Sequence, residues 1–501
     1  MFTIPKSNIV SYKFLFRFFF IFFILNIFFN FVRIIFTNQD PIMSSYEDPK
    51  TDIPLSWPIS VFTLRMPYFL LPIYSSYTSL GVNIYFENNP LELLDIFCAI
   101  IYSFCFILFI KNFDKINSQI RIFFIAFIFI LLSNSIQGIN DGLVYSLTGQ
   151  EGDIDKTYYH DLDKIDNFQI FLGDYNYLQS TENLSMHSIT HPPGPVFVYF
   201  ILDTIFLEPI IGSLALMFLS LFTIVYLHKI ITLKNSESTA NFVCLLYVFI
   251  PSTQIYYLSS IDSLIAFFFT ATIYHFLMWN KNKKSKLHFI SCTLFLVSSA
   301  LMTFVTVILC FIMFAYSFSR LDFLPSQLKT QTSTPVSETL VFAIFTTSAG
   351  LISLLFILFD YNYLEGFITA SEHENRGYST GFMLFDYPIS YIATRFENIA
   401  EMILFLGPLG YIMAYRGLKL NNDFNLLLKY GLVIFVLVMF TGAFKTGETA
   451  RALMFFYPLV MITIANYIET IQSFETHDKK FFIIITWFQT LIMQIFGWYY
   501  W

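Results

Sequence analysis

The chain has 501 residues, of which 56 % are hydrophobic and only 13 % charged, about half the roughly 25 % charged share of a soluble domain. With a mean hydropathy of +0.63, so few charges cannot cover a water-facing surface, and lipid is the solvent for most of the chain. The formal net charge of −7 argues against a nucleic-acid partner, because phosphate backbones select a basic surface.

The fold class these numbers predict is an all-α polytopic membrane protein. A hydrocarbon core about 30 Å thick takes roughly 20 apolar residues per helix. Runs of that kind lie near 14–36, 91–110, 120–138, 208–230, 238–258, 261–279, 337–359, 398–415, 426–444, 450–470 and 481–500. The stretch 287–319 is too long for one helix and reads as a hairpin of two short ones. Together they predict a bundle of about 11–13 transmembrane helices. Segment 58–80, with Pro58, Pro67 and Pro72, reads as interfacial or re-entrant, since each proline removes a backbone donor that lipid cannot replace. Cys98, Cys105, Cys244, Cys292 and Cys310 all lie in apolar runs and read as small core residues rather than disulfide or zinc ligands.

Lysine and arginine favour the cytoplasmic side of a span. Lys6, Lys13 and Arg17 predict a cytoplasmic N-terminus in an integral protein of the cell membrane. Lys111, Lys115, Arg121, Lys229, Lys234, the cluster Lys281-Lys283-Lys284-Lys286, Arg320, Lys329, Arg416, Lys419, Lys479 and Lys480 mark further cytoplasmic loops. One threading satisfies them all, and it sends the long polar loops 37–57, 139–191, 360–397 and 444–451 to the outer face.

Taken in chain order, the chemistry-bearing residues sit in those loops. Loop 139–191 carries Asp141, Asp153, Asp155, His160, Asp161, Asp163 and Asp166 against only Lys156 and Lys164. Neighbouring carboxylates raise one another's proton affinity and make a general base, or they hold a divalent cation; a solvated acidic turn is the plainer alternative. The corner Thr190-His191-Pro192-Pro193-Gly194-Pro195 follows. Its prolines suit the first turn of a helix, and the short apolar run to Phe206 predicts a helix lying along the membrane surface. His191 there either meets a lipid phosphate or simply caps the corner.

Loop 360–397 contains Glu372-His373-Glu374-Asn375-Arg376, which lacks the H-E-x-x-H spacing of a zinc protease. His373 and Arg376 are recognition candidates, or part of a plain solvated loop. Asp262 sits at a short outer turn. The last element is Lys445-Thr446-Gly447-Glu448-Thr449-Ala450-Arg451 at the mouth of an apolar run. Charges beside lipid are functional by default, so Lys445, Glu448 and Arg451 predict an anion-binding patch, against a snorkelling salt bridge as the alternative.

An acidic loop after a span, the His191-Pro192-Pro193-Gly194 corner, a short surface helix and a further span resemble the GT-C superfamily of membrane glycosyltransferases. Members include protein O-mannosyltransferases and the lipid A aminoarabinose transferase. The resemblance covers roughly 120–320 in layout, and Gly447-Glu448-Thr449-Ala450-Arg451 with Pro458 is similar to a late outer-face element of some members. It implies transfer of a sugar from a polyprenyl- or dolichyl-phosphate donor to an acceptor hydroxyl at the extracytoplasmic face, with membrane lipid as the other partner.

In that superfamily an acidic residue early in the first loop acts as base or helps bind a metal. Asp155, near Tyr158 and Tyr159, is the nearest match here, and Asp153, Asp161 and Asp141 remain alternatives. A divalent cation is a possible cofactor on the same ground. His191, Lys445, Glu448 and Arg451 would bind the donor, with His373 and Arg376 recognising substrate. The implied division is 1–119 as extra N-terminal spans and an outer segment, 120–319 as the catalytic core, and 320–501 as a C-terminal region with outer substrate loops. The rival class is a transporter or lipid flippase, against which stand the lack of an internal repeat and of midplane acids.

Overall fold

A computed structural model describes residues 46–47, 54–55, 92–149, 157–258, 260–281, 285–318, 338–374, 382, 384–385, 388–444, 449–471 and 474–497, the side chains of 46–47, 54–55, 146, 338–340, 389, 390, 393, 394 and 397 aside. The predicted span 14–36 and segment 58–80 lie outside these residues. Tyr46–Glu47 pairs antiparallel with Pro54–Leu55. Everything else that is regular is helical: α1 (Leu93–Lys111), α2 (Gln119–Asn134), α3 (Phe168–Ser180), α4 (Gly194–Phe206), α5 (Pro209–Thr232), α6 (Glu237–Phe249), α7 (Pro251–Tyr256), α8 (Ile261–Lys281), α9 (Lys286–Met302), α10 (Thr306–Phe318), α11 (Glu338–Phe359), α12 (Tyr363–Glu374), α13 (Pro388–Leu406), α14 (Pro408–Leu418), α15 (Asn425–Met439), α16 (Tyr457–Glu469) and α17 (Thr476–Phe496).

Among the described residues six helices are long and apolar enough to cross a membrane, seven if α13 and α14 form one bent span. The chain is therefore an all-α, multi-pass membrane protein by length and composition. The remaining apolar runs form shorter helices of 10–17 residues, fewer full-length spans than their sequence predicts. Proline and glycine mark two of the breaks. Pro251 ends α6 and opens α7, and the carbonyls released at the break find side-chain donors. Gln254 Nε2 donates to Val248 O at 2.7 Å and Thr490 Oγ1 to Phe249 O at 2.9 Å. At Gly407, with φ +84°, α13 turns by 102° into α14, and Gln489 Nε2 donates to Leu404 O at 2.7 Å. Apolar surroundings cannot solvate such groups, so each break needs its own donor. The 287–319 stretch does form a hairpin of two helices, α9 and α10, as its length predicts.

Helix α8 is the most enclosed of the candidate spans, and α1 and α11 expose most of their apolar surface. Buried aromatics fill the bundle between them; Phe106 stacks on Trp487 with centroids 4.0 Å apart. Cys244 and Cys292 are buried and the other cysteines half-buried, all as free thiols.

The connecting loops gather at two ends. At one end the lysine-bearing loops touch each other: Lys480 meets Asp114 at 2.8 Å, Lys234 meets Asp423 at 3.5 Å, Lys479 donates to Ser238 at 2.8 Å, and Ser236 Oγ donates to Glu469 at 3.0 Å. At the other end lie the residues after α2, the α7–α8 turn, the α9–α10 turn, the C-terminus of α12 and the segment after α15, which line one cavity. The predicted outer loops are not irregular. Loop 139–191 contains a π-helical turn at Asp141–Tyr145, a 3-10 helix at Tyr158–Lys164, α3 and the short helix Met186–Ile189, and loop 360–397 contains α12 and the start of α13.

Candidate functional site

The site is built on a scaffold of buried polar contacts inside the segment 157–191. Asp161 is fully buried. Both its carboxylate oxygens accept from the Ser185 amide, at 3.0 and 3.1 Å, and Lys164 Nζ lies 2.7 Å from Oδ1. Lys164 also donates to Asn183 O at 2.7 Å, so the 3-10 helix is pinned to the turn before Met186–Ile189. From the other side Tyr175 Oη donates to Ser188 O at 2.9 Å and to His191 O at 3.2 Å, while Gln179 Nε2 donates to Ile189 O at 2.6 Å and Gly366 O at 3.2 Å. These bonds tie α3 to the backbone around the short helix Met186–Ile189 and, through Gly366, to α12.

This scaffold fixes His187, Thr190 and His191. His191 Nδ1 lies 2.9 Å from His187 O and 3.1 Å from Thr190 Oγ1. A carbonyl oxygen only accepts, so Nδ1 carries the proton. The Tyr158 ring touches His187 at 5.7 Å, His191 at 5.6 Å edge-on, and Tyr199 at 5.8 Å. Next to it Tyr159 donates to Asp203 of α4. Burial and then the Asp203 carboxylate push the Tyr159 hydroxyl well above its ordinary range. Helix α4 begins at Gly194 with Pro195 in its first turn, as the corner predicts. Glycine is required there: a Cβ would stand 2.2 Å from Leu301 O of α9.

The opposite wall comes from distant parts of the chain. Asp262, in the first turn of α8, accepts from Ser260 Oγ at 3.2 Å and lies 3.6 Å from Arg451 Nε. Arg451 belongs to the short helix Thr449–Ala452. Tyr199 of α4 feels both: burial and Asp262 raise its hydroxyl far above the ordinary value, and Arg451 pulls it back down. The space between the walls is about 230 Å3 and is lined by Tyr158, His187, His191, Tyr199, Asp262 and Arg451, among others, the α9–α10 turn and Glu374 included. It combines an aromatic face, two imidazoles, a guanidinium and two carboxylates, a set able to hold an anion and to move a proton beside it.

His191 and Arg451, predicted from separate loops, share this cavity. Asp161 does not line it; its carboxylate is sealed inside the scaffold, so its geometry is that of a structural anchor. Asp141 lies in the π-helical turn and is absent from the cavity wall as well. His373 is not part of the cavity wall and has Nδ1 3.9 Å from Glu182 Oε1, while its neighbour Glu374 lines the cavity. Asp153, Asp155, Arg376, Lys445 and Glu448 lie outside the described residues. Among the described residues no three His, Cys, Asp or Glu side chains converge as metal ligands.

No protein-family model matches the sequence, and no curated protein matches it either. The site therefore rests on its own geometry. Sequence reasoning passed over Asp262 and Tyr199 as parts of it. Asp262 had one signal, an acid at a short turn beside an apolar run, and Tyr199 had none, because a tyrosine in an apolar helix reads as core.

Proposed function

We propose that the chain is a membrane glycosyltransferase of the GT-C type, moving a sugar from a polyprenyl- or dolichyl-phosphate donor to an acceptor hydroxyl on the side of the membrane away from the lysine-rich loops. The observation that carries the reading is the cavity shared by His191 of the His-Pro-Pro-Gly corner and Arg451, at the end of the bundle opposite Lys234 and Lys480. Lysine-rich loops favour the cytoplasm, so this cavity opens on the extracytoplasmic side.

In the reaction the acceptor oxygen bonds to the anomeric carbon as the bond from that carbon to the phosphate oxygen breaks. The acceptor's proton passes to a carboxylate, for which Asp155, three residues ahead of Tyr158, is the candidate. The leaving lipid phosphate takes the electron pair and gains negative charge. Arg451 stabilises that charge, as fixed cations do best in a partly dry site, and His191, whose Nδ1 proton is held by His187 O, joins it once Nε2 is also protonated. Asp262 orients Arg451, and the aromatic face of Tyr158 and Tyr199 supports the sugar ring.

The test uses the full chain in membranes supplied with radiolabelled polyprenyl-phosphate mannose or polyprenyl-phosphate aminoarabinose. Wild type releases polyprenyl phosphate, and Asp155→Asn and Arg451→Met lower the rate by roughly 100-fold or more, the size of effect seen when one charge-stabilising group is lost. Release by Asp155→Asn at the wild-type rate removes Asp155 from its role. No turnover of any donor by wild type overturns the reading.

A further inference from the structure

We infer that Arg395, Asn398 and Glu401 of α13 are positioning residues that hold Arg451 in the cavity. They stand three apart in sequence and so share one helix face. Their exposures are 2 %, 0 % and 1 %. Burying a guanidinium and a carboxylate is costly unless they are hydrogen-bonded, and all three side chains bond to the backbone of one segment. Arg395 Nη1 donates to Met439 O at 3.0 Å and to Phe444 O at 3.2 Å. Asn398 Nδ2 donates to the same Phe444 carbonyl at 3.4 Å. Glu401 Oε1 accepts from the Ala450 amide at 3.0 Å.

Tyr391, one turn earlier, extends the row. Its hydroxyl donates to Phe440 O at 2.6 Å, and its ring lies 4.8 Å from the Arg395 guanidinium carbon. The row thus grips the C-terminus of α15 at residues 439, 440 and 444 and the segment beyond it at residue 450. Phe444, Arg451 and Ala452 of that same stretch line the cavity. Contacts to backbone atoms are indifferent to side-chain identity. What they set is where the chain runs, and residue 451 follows directly on the amide that Glu401 holds.

The inference concerns the cavity's geometry and stands apart from the transferase reading, so its test needs no substrate. Asp262→Cys and Arg451→Cys are combined in the full chain in membranes, and the pair is bridged with methanethiosulfonate cross-linkers of graded length, read by peptide mass spectrometry. With α13 intact a narrow range of short linkers reacts. Adding Glu401→Leu or Arg395→Met lowers the short-linker yield roughly tenfold, as expected for losing one buried charged hydrogen bond, and spreads reaction to longer linkers. Glu401→Gln keeps an acceptor for Ala450 and restores the narrow range.

Thermal unfolding of each variant is measured in parallel. Should Arg395→Met fail to accumulate, Tyr391→Phe, which removes the hydroxyl bonded to Phe440 O, carries the same comparison with a smaller shift. An unchanged linker profile in folded Glu401→Leu overturns the inference, as does equal spreading in Glu401→Gln.

Discussion

Arg451 Nε lies 3.6 Å from Asp262 Oδ2, each side chain about one-fifth exposed (20 % and 19 %). The contact joins the first turn of α8 to the short helix Thr449–Ala452 just ahead of α16, and both side chains line the cavity together with His191. Partly buried pairs of this kind couple measurably. A double-mutant cycle of Asp262→Asn and Arg451→Met on detergent-solubilised protein should give a coupling of about 1 kcal/mol in thermal stability. Strict additivity would mean that the two groups do not sense each other.

Asp161 should behave as an anchor. Asp161→Ala removes the acceptors for Ser185 N and Lys164, and should cost about 2–3 kcal/mol together with faster proteolysis within 157–191. Asp161→Asn keeps one acceptor oxygen and should remain folded with most of the wild-type transfer. Full loss of transfer from a folded Asp161→Asn protein would return this residue to the catalytic candidates.

Gly194 and Gly350 make opposite predictions from the same substitution. Gly194→Ala drives a Cβ to 2.2 Å from a backbone carbonyl of α9, whereas Gly350 has nothing within 4 Å. Overpacking against backbone costs about 1–3 kcal/mol, so Gly194→Ala should lower the melting temperature and the yield of monodisperse protein. Gly350→Ala should leave both unchanged.

Tyr159 gives an alkaline signature. Its hydroxyl is held protonated in the fold by burial and by Asp203, while in the unfolded chain it ionises near pH 10. The unfolded state therefore releases a proton first as pH rises. The stability Tyr159 contributes is complete below about pH 10 and is lost above it, as pH climbs toward the folded value. Tyr159→Phe should make the fall in melting temperature above pH 10 shallower; an identical slope in both proteins would count against the Tyr159–Asp203 contact.

The sidedness of the bundle is open to direct labelling. Single cysteines at His160→Cys and Ala443→Cys should react with a membrane-impermeant thiol reagent added outside intact cells. Lys115→Cys and Lys480→Cys should react only after permeabilisation. Labelling of both groups from one side would dissolve the two-ended arrangement on which the site's orientation depends.

Much of the bundle was legible beforehand because a span is specified by local transfer energy. The apolar runs that become α1, α2, α5, α8, α11 and α17 stand out one by one, and the lysines mark one end of each. The hairpin of α9 and α10 follows from length alone. The breaks were harder to place: Pro251 and Gly407 are visible as punctuation, yet whether the chain stops, bends or crosses there depends on Gln254, Thr490 and Gln489 arriving from elsewhere to satisfy the freed carbonyls.

The site divides the same way. His191 and Arg451 could be nominated as polar residues beside apolar runs, because a charge next to lipid is costly wherever it occurs. That Asp161 turns inward onto Ser185 while Asp262 faces the cavity was decided only by the tertiary structure, although both are aspartates near the end of a helix. Transfer free energy is summed residue by residue along the chain and can be read in order. The direction and partner of a polar side chain depend on which distant backbone lies across from it, and that is settled when the helices assemble.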